Sequence, residues 1–189
     1  MILNAIEELY NMADLLSGSR DERMEIIYGI PVMMAPPAAI HQEIIAELIF
    51  QLKLFLNGKK CRVFPAPYAV RLFEGKDDRP EDVDTLVEPD ISVVCDPAKL
   101  DEIGCKGAPD LIIEVLSPST RKHDLFTKFH LYRRAGVREY WVIDPKDKSV
   151  QTFILKDGNY LSNGTGGPSD TLEVSVLQGC TIDLSKVFP

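Results

Sequence analysis

PDLIIEVLSPSTRKHD, residues 109–124, sets a glutamate inside an apolar run. Leu111, Ile112, Ile113, Val115 and Leu116 surround Glu114 in a segment short and β-branched enough for a buried strand. Burying an unpaired ionised carboxylate costs several kcal/mol. Glu114 is therefore expected to be protonated, paired with a cation, or at a cavity that holds a metal ion.

Downstream, SPST offers hydroxyls that cap the free N–H groups at a helix start, and RKHDLFTKFHLYRRAG reads as that helix, ending at Gly136. Leu125, Phe129 and Tyr132 fall at i, i+4 and i+7 and are expected to pack on the sheet. Asp124 and Lys128 flank that stripe, so Lys128 can reach back towards Glu114. A lysine there could orient or deprotonate an attacking water and offset charge on a phosphate. As a solvated surface pair, Asp124 and Lys128 would contribute only about 0.3–0.5 kcal/mol.

Upstream, VEPDISVVC reads as a strand entered through a proline, with Asp90 at its start. If it lies beside the Glu114 strand, the two carboxylates converge. They then repel, raising one pKa unless a divalent cation neutralises them. Mg²⁺ suits such hard oxygen ligands, keeps several waters and pairs with phosphate substrates.

MEIIYGIPVMM predicts two short strands around Gly29, and AAIHQEIIAELIFQLKLFL a helix from near Ala38 to the Asn57-Gly58 stop. CRVF, YAVRLF and REYWVID predict further strands, SNGTGGPSD a flexible turn. An amphipathic helix is expected at the start, on Ile2, Ala5, Ile6, Leu9, Met12 and Leu16. The order describes an α/β domain with a mixed central sheet, residues 20–189, preceded by a helical extension, residues 1–19.

The 189 residues suffice for one buried core, and no apolar stretch approaches the roughly 18 residues of a membrane span. The opening lacks a basic leader and cleavage site, so a cytoplasmic protein without membrane partners is expected. Cys61, Cys95, Cys105 and Cys180 form no Cys-x-x-Cys pair and are expected as buried reduced thiols. A net charge of −8 argues against a surface that grips nucleic acid broadly. The charge is segregated, however. Residues 74–90 are strongly acidic, whereas 120–138 carry Arg121, Lys122, Lys128, Arg133, Arg134 and Arg138 against Asp124. That stretch is either a solvated helix surface or a local basic face, with Arg121 and Lys122 as candidate nucleic-acid contacts.

VEPDISVV, GAPDLIIEVLSPST, Asp124, Lys128, Tyr132 and AGVREYWVIDP together resemble the Uma-type family of restriction endonucleases, within the PD-(D/E)XK nuclease superfamily. MEIIYGIPVMMAPP and IHQEII resemble its opening strand pair and first helix. The resemblance implies a restriction-endonuclease-like core, its mixed sheet flanked by helices, in which Asp90 and Glu114 hold Mg²⁺ or Mn²⁺. Two residues after Glu114, where the superfamily motif places lysine, stands Leu116. Lys128 is the position that matches the lysine of the Uma-type pattern. Glu25 and His41 resemble polar positions at the site's edge, and Ser117 and Asp124 resemble groups that orient the ion or the lysine. The implied activity is a metal-dependent endodeoxyribonuclease acting on DNA, compatible with a homodimer. The alternatives are a noncatalytic nucleic-acid-binding or regulatory module and an enzyme acting on another phosphate substrate.

Overall fold

A computed structural model describes residues 9–17, 23–118 and 121–189. Ile2, Ala5 and Ile6 of the expected opening helix, the expected boundary at 19–20, and Ser119 and Thr120 of the expected cap lie outside these. Along the chain follow α1 (Met12–Ser17), the hairpin β1 (Met24–Ile27) and β2 (Ile30–Met33), α2 (Ala39–Leu56), β3 (Arg62–Pro65), β4 (Ala69–Arg71), β5 (Leu86–Val87) and β6 (Ile91–Val94). Then come β7 (Gly104–Lys106), β8 (Leu111–Val115), a π-helical turn (His123–Lys128), α3 (Phe129–Ala135), β9 (Glu139–Asp144), the hairpin β10 (Ser149–Lys156) and β11 (Asn159–Gly166), β12 (Thr171–Glu173) and β13 (Thr181–Asp183).

The central sheet has six strands in the order β11-β10-β9-β8-β6-β3. It is mixed, because β8 runs parallel to β9 while β6 pairs antiparallel with both β8 and β3. On β8, Leu111, Ile113 and Val115 face one core with Ile44, Leu48 and Leu52 of α2, whereas Ile112 faces a second core with Leu131 and Tyr132 of α3. Alternation along a strand dictates this division. Each Leu or Ile buried there contributes about 1.5–3 kcal/mol relative to exposure. By the same alternation Glu114 shares the face of Ile112, towards α3.

That second core is closed by a five-stranded sheet of order β2-β1-β5-β4-β7, an element not expected from the sequence. Its existence corrects the reading of VEPDISVVC as a single strand. Leu86 and Val87 belong to the five-stranded sheet and Ile91 to Val94 to the six-stranded one. Pro89 lies at the crossing, where a missing N–H does no harm to either ladder.

Two further expectations change. Cys61 and Cys95 form a disulfide, while Cys105 and Cys180 are buried free thiols. The antiparallel register of β3 and β6 explains the pairing, since Arg62 lies opposite Val94 and the next pair outward is Cys61 and Cys95. The stretch expected as a flexible turn instead begins inside β11, where Ser162, Gly164, Thr165 and Gly166 pair with Phe153, Thr152, Gln151 and Val150 around a bulge at Asn163. Among the described residues no helix is long and apolar enough to cross a membrane.

Candidate active site

Ile91 pairs with Ile113 in the antiparallel β6–β8 ladder, and continuing that register sets Asp90 opposite Glu114. The backbone binds them together: Val115 N–H donates to Asp90 Oδ2 at 2.8 Å, and Asp90 N–H approaches Glu114 Oε2 at 3.4 Å. From the first turn of α2, His41 Nε2 lies 3.1 Å from Asp90 Oδ2. The other ring nitrogen of His41 is buried without a hydrogen-bond partner among the described residues.

The facing sheet supplies Glu25 from β1, whose Oε1 accepts the Glu88 N–H at 2.9 Å. Lys128 Nζ stands between the two sheets, 2.9 Å from Glu25 Oε1, 3.0 Å from Glu114 Oε1 and 3.8 Å from Asp124 Oδ1. Glu25, Glu114, Asp124 and Lys128 are each at most 4% exposed. Asp124 and Lys128 are therefore not a solvated surface pair. Both lie on the π-helical turn, a rare geometry that recurs at functional sites.

Four carboxylates, Glu25, Asp90, Glu114 and Asp124, thus surround one lysine and one histidine. Burial pushes the Glu114 carboxyl well above its ordinary value, Lys128 opposes that, and Asp90, Asp124 and Glu25 push it further up. Burial disfavours charge on Lys128, but Glu114, Glu25 and Asp124 outweigh it and hold its pKa well above the ordinary lysine value. Burial likewise opposes charge on His41, and the Asp90 hydrogen bond and charge overcome it, raising the imidazole above 6.5. The surrounding carboxylates therefore favour the ammonium form of Lys128, the form suited to orienting a water.

Residues 6–185 match the family model Uma2, described as "Putative restriction endonuclease". The chain belongs to the Uma2 family. A curated relative, "Uncharacterized protein slr1290" of Synechocystis sp. (strain ATCC 27184 / PCC 6803 / Kazusa), is 48% identical over 75 residues, which are 39% of this chain and 40% of the relative. The match thus spans well under two thirds of that relative's length. Among solved structures, "a putative nuclease belonging to DUF820" from Anabaena variabilis ATCC 29413 superposes with a TM-score of 0.73 at 19% identity, covering 95% of this chain and 97% of that one. At such identity the likeness establishes the fold, a mixed α/β nuclease fold as expected.

The donor chemistry in this Uma2 chain fits a divalent cation. Among the described residues no three His, Cys, Asp or Glu side chains form a ready metal cage. Mg²⁺ needs none, because it is commonly held by one or two carboxylates and keeps several waters. Asp90 and Glu114 would hold it, and the surplus of carboxylates over cations is the electrostatic reason a second positive charge is favourable there.

The remaining expected residues lie further out. Ser117 follows β8 and is half-buried. Arg121 forms ion pairs with Asp144 and, at 3.9 Å, with Asp147, so it is engaged within the protein, whereas Lys122 is exposed. Arg138 pairs with Asp110 and Lys128 is buried. The basic stretch therefore presents less free charge than its composition suggests.

A further residue, expected to pack on the sheet and part of the family resemblance, reaches the acid cluster. Tyr132, fully buried on α3, donates its hydroxyl to Glu114 Oε1 at 2.6 Å. Its place four residues beyond Lys128 was the available signal. Tyr132→Phe keeps the ring packing and removes that donor. A hydrogen bond to an ionised carboxylate favours the ionised form, so its loss pushes Glu114 further up. If the site is active, nicking should fall by about 10-fold and the acid limb of its pH profile should move to higher pH. An unchanged profile would assign Tyr132 to packing alone.

Proposed function

We propose that this Uma2 protein is a metal-dependent endodeoxyribonuclease hydrolysing DNA phosphodiester bonds. The observation that carries the reading is the convergence of half-buried Asp90 and buried Glu114 at the β6–β8 pairing, with Lys128 Nζ 3.0 Å from Glu114. The family description supports DNA as the substrate. Bound by the two acids, a Mg²⁺ or Mn²⁺ ion supplies Lewis-acid stabilisation of the phosphoryl oxygens and a more acidic water. Asp90 is held by the Val115 N–H and His41, and Glu114 by Lys128 and Tyr132, so neither carboxylate needs to reorganise when substrate arrives. Lys128, whose charged form the surrounding acids favour, bridges Glu25 and Glu114. A homodimer would provide two such sites, one for each strand.

Conversion of supercoiled plasmid to open circle tests this reading. Nicking should require added Mg²⁺ or Mn²⁺, stop in EDTA, and disappear in Asp90→Asn. DNA binding without nicking by well-folded protein, across metals and DNA forms, would transfer the assignment to a noncatalytic binding or regulatory module. Neither binding nor nicking would direct attention to another phosphate substrate.

A further inference from the structure

The turn between β1 and β2 is made by Tyr28 and Gly29, with φ values of 52° and 77°. Two consecutive positive φ values describe the tight hairpin turn that Asn-Gly or Asp-Gly fills most easily. A bulky residue is disfavoured at such an angle. Tyr28 also gains little burial in exchange, since it remains 40% exposed. Its ring stacks on Phe73, 38% exposed, with centroids 6.0 Å apart and planes inclined by 20°. The Arg134 guanidinium covers both rings, 5.2 Å from one centroid and 5.5 Å from the other. Across a depression of about 700 Å³ lies Phe126, 62% exposed, with His130 and Arg133 on the same wall.

Two properties of this surface select its occupant. In a chain of net charge −8, the described residues lining the depression include two arginines and a histidine but no aspartate or glutamate. Arg133 Nε is buried without a hydrogen-bond partner among the described residues. Position is the second property. Thr127 of the lining directly precedes Lys128, and Tyr28 stands three residues beyond Glu25, a strand distance of about 10 Å. Flat aromatic faces with guanidinium groups suit bases and phosphates together. In a duplex the base faces are already stacked on one another, so the surface fits unpaired bases.

We propose that Tyr28, Phe73, Phe126 and Arg134 form a stacking platform for unpaired bases of a DNA substrate, beside the acid cluster. The proposal rests on the DNA-nuclease reading for its occupant, but binding can be measured without catalysis. Fluorescence anisotropy in EDTA, with labelled oligo-dT of about 15 nucleotides and a blunt duplex of equal length, provides the readout. The wild-type chain should bind the single strand more tightly than the duplex. Tyr28→Asn, Phe126→Ala and Arg134→Gln should each weaken single-strand binding by about 10-fold. Tyr28→Asn should do so while keeping or raising the melting temperature, because asparagine is favoured in that turn.

Single-strand affinity unchanged in these variants, or lost only in step with thermal stability, overturns the platform. So does self-association through this face, seen as concentration-dependent sedimentation that Phe126→Ala abolishes without altering DNA affinity. A protein that nicks DNA yet shows either result retains the nuclease reading and loses the platform. Platform-dependent binding without nicking has the reverse meaning.

Discussion

Glu114→Gln is expected to abolish plasmid nicking and, at neutral pH, to raise the melting temperature. On the proposed reading Glu114 would help hold the metal ion, so its loss should lower cleavage by at least about 10³-fold, the upper range for removing a preorganised electrostatic contact. The opposite sign for stability follows from the surplus of acids. Glu114 is 3% exposed, and its pKa is raised by burial, against Lys128, and by the neighbouring Asp90, Asp124 and Glu25 carboxylates. A carboxyl whose folded value lies above its unfolded one is tolerated below the ordinary 4.5 and destabilises the fold as pH rises through the folded value. Glutamine removes that penalty, while Lys128 retains Glu25 and Asp124 as partners.

A gain of about 1 kcal/mol corresponds to about 2–4 °C for a chain of this size. The gain should disappear below pH 4.5, where wild-type Glu114 is protonated in both states. Mg²⁺ should raise the melting temperature of the wild type and leave that of Glu114→Gln unmoved, because only a bound ligand shifts the folding equilibrium. Nicking retained in Glu114→Gln would remove this acid from the site. A fall in its neutral-pH stability would instead show that Glu114 is fully compensated by Lys128.

The local geometry around Glu114 was legible in the sequence because it depends on short-range rules. An apolar run interrupted by one acid predicts the Glu114 strand, but spacing alone leaves Lys128 either on the surface with Asp124 or reaching towards Glu114; the family resemblance points to the second, which the 3.0 Å contact shows. The β6–β8 pairing then places Asp90. Glu25 was legible only through family resemblance, since its approach depends on a second sheet folding over the first. That sheet was concealed by its strands, three of which have only two or three residues and leave no measurable alternation: β4, β5 and β7. The Cys61–Cys95 pairing depends likewise on the β3–β6 register, which spacing in sequence does not reveal. The π-helical turn escaped because Asp124 and Lys128 satisfy ordinary helical spacing as well.

Lys128→Met should reverse the stability effect of Glu114→Gln while also eliminating cleavage. Lys128 is the cation shared by Glu25, Glu114 and Asp124, so its removal leaves three buried carboxylates facing one another. Removing one partner from a buried ionic arrangement typically costs about 3–5 kcal/mol, and methionine preserves most of the side-chain volume, which limits any packing contribution. The pH dependence identifies the cause. In the wild type, the raised Lys128 pKa gives a contribution that is fully present below 10.5 and lost only as pH rises through the folded value. In the variant the acids must carry their own repulsion, so its deficit should be greatest near neutral pH and should shrink as pH falls towards 4.5 and Glu114 protonates. Chemical denaturation of both proteins at several pH values measures that deficit directly. A deficit independent of pH would attribute the loss to packing. A variant as stable as wild type at neutral pH would mean that the acids are already protonated, and then Lys128 could not be what keeps Glu114 charged for binding a metal ion.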